Sequence, residues 1–122
     1  MTLLNILSGD EQIQFDSPPQ FSGEKRKHFF SLPKWAEETV RTLRTPKSKV
    51  GFILQLGYFR ASNMFYLKQA FHQRDIEYVA KRFQVEGLSM EGYDKTTLLR
   101  HRALILEKLG FKAYSEMRST IR

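Results

Sequence analysis

Apolar residues recur along this chain at the three-to-four-residue spacing of amphipathic helices, and alternation at every second position is nearly absent. Ser, Pro and Gly residues stand where such helices would start or stop. The pattern predicts an all-α fold, a compact multi-helix bundle. The amphipathic helices are expected near Asp10–Phe15 and over Gly23–Phe30, Pro33–Arg44, Arg74–Glu86 and Asp94–Leu109.

One further helix, predicted over Lys47–Ala61, is apolar on nearly every side. A helix without a polar face is typical of the middle of a bundle. Gly51 and Gly57 weaken a helix, so we expect a neighbouring helix to approach closely at both positions. Gln55 is the polar exception, and we expect its side chain to form a structural hydrogen bond with backbone rather than to take part in catalysis.

The Asp94–Leu109 helix combines a well-defined start with a basic cluster. Asp94 is a good N-cap and Gly110 a left-handed stop, and the apolar stripe consists of Leu98, Leu99, Ile105, Leu106 and Leu109. Its first half carries basic and hydroxyl side chains, which can reach phosphates and base edges in a DNA groove: Lys95, Thr96, Thr97, Arg100 and His101. Arg102 projects into the stripe, so an ion pair with a buried carboxylate is the alternative for that residue.

The two last amphipathic helices have the outline of a helix-turn-helix. Gly87 is expected to end the Arg74–Glu86 helix, and the second helix is basic at its start. Since the connection Gly87–Tyr93 is longer than the usual turn, an ordinary helical hairpin is the alternative.

The 122 residues make one domain's worth of chain, and the net charge of +7 is spread unevenly. Residues 23–60 and 94–122 are basic, residues 61–93 are balanced, and residues 1–22 are acidic. Two basic segments suggest an anionic partner contacted from two places, although a basic surface also serves solubility alone. The first basic segment adds further candidates for phosphate contact: Lys25, Arg26, Lys27, Arg41, Arg44, Lys47 and Lys49.

Residues for catalysis or cofactor binding do not form a pattern in the sequence. Cysteine is absent, which fits a reducing cytoplasm, and His28, His72 and His101 lack metal-ligand spacing. No phosphate-binding glycine loop occurs, and no apolar run approaches the length of a membrane span. We therefore expect no enzyme activity, no cofactor, no metal and no membrane partner for this chain.

Several segments together resemble one protein family. HRALILEKLGF (residues 101–111) followed by Tyr114 is similar to the "H-R-A-x-I-x-x-x-x-G-[FY]" run that closes the N-terminal domain of the Tn-three family of replicative transposases. KVGFILQLGYFRASNMF (residues 49–65) resembles that family's "R-L-G-F-A-L-Q-L-x-x-x-R-x-x-G-x-F". LSGDEQIQF (residues 7–15) and PPQFSGEKRKHFFSL (residues 18–32) resemble the two blocks that precede it. Leu104 and Ser62-Asn63 depart from the family's usual glutamate and glycine.

The resemblance implies a DNA-binding domain that recognises the terminal inverted repeats of a mobile element during DNA transposition. It places the three catalytic carboxylates of a DDE-type transposase in a downstream domain, so this chain would recognise double-stranded DNA and not cut it. Residues 1–114 would form the helical domain, and residues 115–122 would begin a helix toward the remainder of a longer chain. The isolated domain is expected to be a monomer, in the bacterial cytoplasm and at the nucleoid when bound. A helical protein-interaction module for transposase assembly is the alternative.

Overall fold

The computed structural model describes residues 17–110, and this part of the chain contains helices and no strands. A short 3₁₀ helix, Lys68–Ala70, precedes α4. The five α-helices are α1 (Gly23–Phe29), α2 (Lys34–Thr42), α3 (Pro46–Ser62), α4 (Gln73–Lys81) and α5 (Lys95–Lys108). The all-α prediction is confirmed. The helix expected near residues 10–15, the one expected after Tyr114 and the domain boundary at 114 lie outside the described residues.

Helix α3 lies at the centre of the bundle, as its sequence predicts. The ten consecutive residues from Val50 to Phe59 are all buried, and α1, α2, α4 and α5 each pack against this helix. Thr45 caps its start by accepting a hydrogen bond from the Ser48 N–H, at 3.1 Å. Its end is closed by Asn63 in the left-handed conformation.

Both glycines of α3 permit close approach, by an aromatic ring at Gly51 and by an aromatic ring and the end of helix α1 at Gly57. A Cβ atom added at Gly51 would lie 2.3 Å from the ring of Tyr93, and one added at Gly57 would lie 2.4 Å from the ring of Phe30. Both rings come from residues just outside a helix. At Gly57 the carbonyl oxygen of Phe29, the last residue of α1, would also lie 3.0 Å from the added Cβ atom. The predicted close approach of a neighbouring helix is therefore confirmed at Gly57, whereas at Gly51 the neighbour is the ring of a loop residue.

Polar groups in this interior are satisfied by hydrogen bonds. The Gln55 amide nitrogen donates to the Tyr66 carbonyl at 2.8 Å, and the Tyr66 N–H donates to the Gln55 amide oxygen at 3.3 Å. The predicted structural role of Gln55 is confirmed, because this pair ties α3 to the loop that follows it. Around the pair, the Tyr58 ring packs within 6 Å of Phe21, Phe30, Tyr66 and Phe71.

Helix α4 is shorter than the predicted Arg74–Glu86, and Gly87 does not end it. It stops at Lys81, and Gln84 adopts the left-handed conformation. The Val85 N–H bonds to the Ala80 carbonyl, and the Gln84 N–H bonds to the Lys81 carbonyl. These two bonds form a Schellman motif, in which Gln84 takes the place that glycine usually occupies.

Helices α4 and α5 do not form a compact pair. Residues 82–94 separate them, and each packs mainly against α3 with little contact between the two. The arrangement therefore lacks both the short turn of a helix-turn-helix and the mutual packing of a helical hairpin. Among the described residues, no helix is both long and apolar enough to cross a membrane.

We expect Gly57→Ala to lower the free energy of unfolding by about 1–3 kcal/mol, because the added methyl group would overlap the buried Phe30 ring. Gly23→Ala is the matched control: nothing lies within 4 Å of the added carbon, so stability should stay near that of the native chain. Urea denaturation of both variants checks this. A Gly57→Ala variant at least as stable as the native protein would contradict the packing described above.

Candidate nucleic-acid interface

The N-terminus of α5 forms as predicted from its capping residue. The Asp94 carboxylate accepts a hydrogen bond from the Thr97 N–H at 2.8 Å. The pKa of Asp94 is lowered, first by bonds from the Thr97 backbone and hydroxyl and then by the positive charges of Arg100 and Lys68. Helix α5 buries Leu98, His101 and Ile105 against the core. Lys95, Thr96 and Arg100 are exposed, whereas Thr97 is half-buried and bonded to the cap.

Lys47 connects the two basic segments of the chain. Its side chain, from the first turn of α3, donates a hydrogen bond to the Glu91 carbonyl. A Cβ atom on Gly92 would lie 3.3 Å from its ammonium nitrogen. Lys47 therefore lies beside the loop that leads into α5. We call this region, with Lys47, Lys68, Lys95, Thr96 and Arg100, the α5 N-terminal surface.

Two of the other predicted residues are exposed, and a third is engaged within the fold. Arg44 lies three residues before Lys47, whereas Arg41 lines a cavity beside Phe83. The Lys49 ammonium donates to the Val40 carbonyl at 3.0 Å and lies 5.9 Å from the centre of the Phe83 ring. Lys49 thus joins the end of α2 to the segment after α4, and its charge is directed into the protein.

Arg26 requires a correction, because α1 was predicted to present three solvated basic residues. Its Nε donates to Asp75 at 2.7 Å, and its Nη2 donates to the Phe21 carbonyl at 3.1 Å. Asp75 is only 1% exposed and also accepts the Tyr58 hydroxyl at 2.5 Å. Arg26 therefore neutralises a buried carboxylate and is not free for phosphate contact. Burial, strengthened by the bond to Asp75, raises the pKa of Tyr58 far above its ordinary value.

Lys25 and Lys27 remain exposed on α1, but on another side of the bundle. Phe30, which follows α1, packs at Gly57, whereas Tyr93, which precedes α5, packs at Gly51. Six residues of helix separate these positions by about 9 Å along the axis and about 120° around it. The structure thus places α1 and the start of α5 on different sides of α3.

His101 is the second correction. It was predicted to contact DNA, yet it is only 3% exposed and its Nδ1 lies 2.8 Å from the Tyr93 hydroxyl. Its ring also meets Phe52 edge-on at 5.4 Å. Burial lowers the pKa of His101 to about 4, and the charge of Arg100 acts in the same direction. A buried neutral imidazole that is hydrogen-bonded to a tyrosine hydroxyl is a core contact, not a surface cation.

Two further residues of α5 lie in environments other than those predicted for them. Within residues 17–110, Arg102 does not pair with a buried carboxylate; it is exposed, and its guanidinium lies 5.4 Å from the centre of the Phe65 ring. Leu99, placed by periodicity in the buried stripe, is 45% exposed.

Lys68 is the residue that sequence reasoning missed. It lies in the loop and 3₁₀ segment after α3, close enough to Asp94 for its charge to lower that pKa. Its only sequence signal was a cation in a segment predicted to be a loop, where binding residues are common. Among the described residues, no three His, Cys, Asp or Glu side chains form a cluster that could hold a metal ion.

Comparison with protein families gives one match. The family model described as "Domain of unknown function (DUF4158)" matches residues 6–120. No significant match is found among curated proteins or among solved structures.

We expect the folded chain to lose roughly 3 kcal/mol of stability through His101 as the pH falls from about 6.5 to about 4. In this window the unfolded chain binds a proton that the folded chain excludes, so acid favours unfolding. His101→Gln should remove this slope, whereas His28→Gln, a change at an exposed histidine, should retain it. Urea denaturation at several pH values measures both. Equal slopes in the two variants would show that folding does not lower the pKa of His101.

Proposed function

The chain belongs to the DUF4158 family, a transposase-associated domain, and on this premise we propose that it binds the terminal inverted repeats of a Tn-three-like transposon. In this role it is a recognition domain. The cutting and joining of DNA belong to another part of the transposase. The sequence resemblance supplies the transposon type, and the basic surfaces supply the physical means of binding.

The observation that carries the proposal is the contact of Lys47 with the loop before α5. It gathers cations from three separate parts of the chain around one exposed helix start: Lys47, Lys68, Lys95 and Arg100. A helix whose first turns are basic and exposed suits the major groove, where an arginine can pair with guanine. Asp94 and Glu91 reduce the local positive charge, but the carboxylate of Asp94 is occupied by the cap.

The candidate residues divide by the contacts that we assign to them. The half-buried Lys47 and Lys68 and the exposed Arg44 would neutralise phosphates, which fixes position without reading sequence. Thr96 and Arg100, one turn apart on α5, would reach base edges. Lys25 and Lys27 would anchor a second stretch of backbone, since α1 lies on another side of α3.

A protein-interaction module for transposase assembly is the second candidate. The observation that favours it is the exposure of large apolar side chains in the loop after α3, where Met64 is 40% and Leu67 44% exposed. Such residues occur at binding surfaces for proteins as well as on ordinary surfaces.

Binding to a duplex of the terminal inverted repeat should weaken steeply with salt, because each phosphate contact releases counterions. Titration of the chain at several salt concentrations should give a straight line of log affinity against log salt, with a scrambled duplex bound more weakly. No binding even at low salt would favour the interaction module. Equal affinity for both duplexes would leave a DNA-binding domain without specificity.

Arg100→Ala should lose about 1–3 kcal/mol of binding free energy on the terminal repeat and much less on the scrambled duplex. Arg74→Ala is the matched control, because it removes an equally exposed arginine from α4, outside the α5 N-terminal surface. The double variant of Lys25 and Lys27 should weaken both duplexes alike and flatten the salt dependence. Similar losses for Arg100→Ala on the two duplexes would assign Arg100 to phosphate contact.

A further inference from the structure

Leu99 occupies an unusual position for a leucine on α5. The buried side of the helix is formed by Leu98, His101 and Ile105, and Leu99 points away from it with 45% of its surface exposed. Thr96 lies one turn before it and Ala103 one turn after it, both exposed. An isolated exposed leucine is ordinary in itself. Here, however, it lies on the outward face of the helix that carries the base-reading candidates.

The surroundings of Leu99 are cationic. Arg100 is its chain neighbour, and Lys95 lies one turn before it on the same helix. Arg102 lies one turn after it, over the Phe65 ring, and Lys68 lies near the helix start. Helical side chains lean toward the N-terminus, so Leu99 covers the surface beside Thr96 and Lys95. The result is a small apolar surface inside a basic rim.

Charge complementarity selects the occupant of this surface. A basic rim favours an anionic partner, and an apolar centre favours a group on that partner that forms no hydrogen bonds. Duplex DNA presents both in its major groove, where the thymine 5-methyl group is the apolar feature of an otherwise polar set of base edges. The guanidinium of Arg100, next to Leu99, suits the N7 and O6 acceptors of a guanine.

We propose that Leu99 is a specificity-determining residue that contacts a thymine methyl group in the transposon end. The inference rests on the proposed function and adds to it the kind of base that the α5 N-terminal surface recognises. Burying one methyl group contributes about 0.8 kcal/mol, which corresponds to about a fourfold change in affinity.

Deoxyuridine, which lacks the 5-methyl group, provides the test. Each thymine of the terminal-repeat duplex is replaced singly by deoxyuridine, and the affinity of the native chain is measured. At one or two positions we expect about a fourfold loss. Leu99→Ala should bind the unsubstituted duplex about as weakly, and the same replacements should then cause no further loss, which a double-mutant cycle quantifies.

Leu109→Ala is the matched control, since Leu109 is 37% exposed at the opposite end of the same helix. This variant should keep the full response to deoxyuridine. The inference would be overturned if no deoxyuridine replacement changed the affinity, or if Leu99→Ala still lost affinity on the same replacements. In either case, binding that remained salt-dependent and specific for the terminal repeat would leave the proposed function intact. Failure to prefer the terminal repeat would overturn the proposed function itself. Concentration-dependent dimers abolished only by Leu99→Ala, measured by sedimentation, would assign Leu99 to a second copy of the chain.

Discussion

The burial of α3 on every side is the constraint on which the rest of this structure depends. Ten consecutive residues of one helix leave no face for water, so every other helix must contribute cover. Gly51 and Gly57 allow that cover to approach closely, because the rings of Tyr93 and Phe30 occupy the space where a side chain would stand. The Tyr93 ring thereby fixes the loop before α5 against α3, and the Phe30 ring fixes the end of α1.

The enclosure of α3 explains which basic side chains form hydrogen bonds and ion pairs within the fold. Polar groups beside a buried helix need partners: Asp75 accepts the Tyr58 hydroxyl, and Arg26 supplies the cation that neutralises Asp75. Arg60 and Arg82 donate to carbonyls at the end of α1 and just beyond it, each at 2.9 Å, and so stabilise the last turn of that helix. A substantial part of the positive charge that suggests an anionic partner therefore stabilises the fold instead.

Several of the remaining cations lie together at the start of α5, because Lys47 bonds to the loop that precedes this helix. Others are exposed on α1, α2 and α4. The interior contributes to this arrangement, since the hydrogen-bonded rings of Tyr93 and His101 pack at Gly51 and Phe52 of α3. With His101 buried, the preceding residue, Arg100, is exposed. The proposed recognition of DNA thus depends on a core contact that carries no charge.

Interactions between residues close in sequence determine much of the fold. The apolar circumference of α3, the cap at Asp94 and the stop at Gly110 are properties of a few neighbouring residues, and sequence alone predicted them correctly. The roles of Arg26, His101, Leu99 and Lys68 depended on tertiary contacts. Each is determined by a residue far along the chain or by the rotation of a whole helix against α3. Because the wide apolar stripe of α5 permits more than one rotation, only packing decided which leucine faces water and which histidine enters the core.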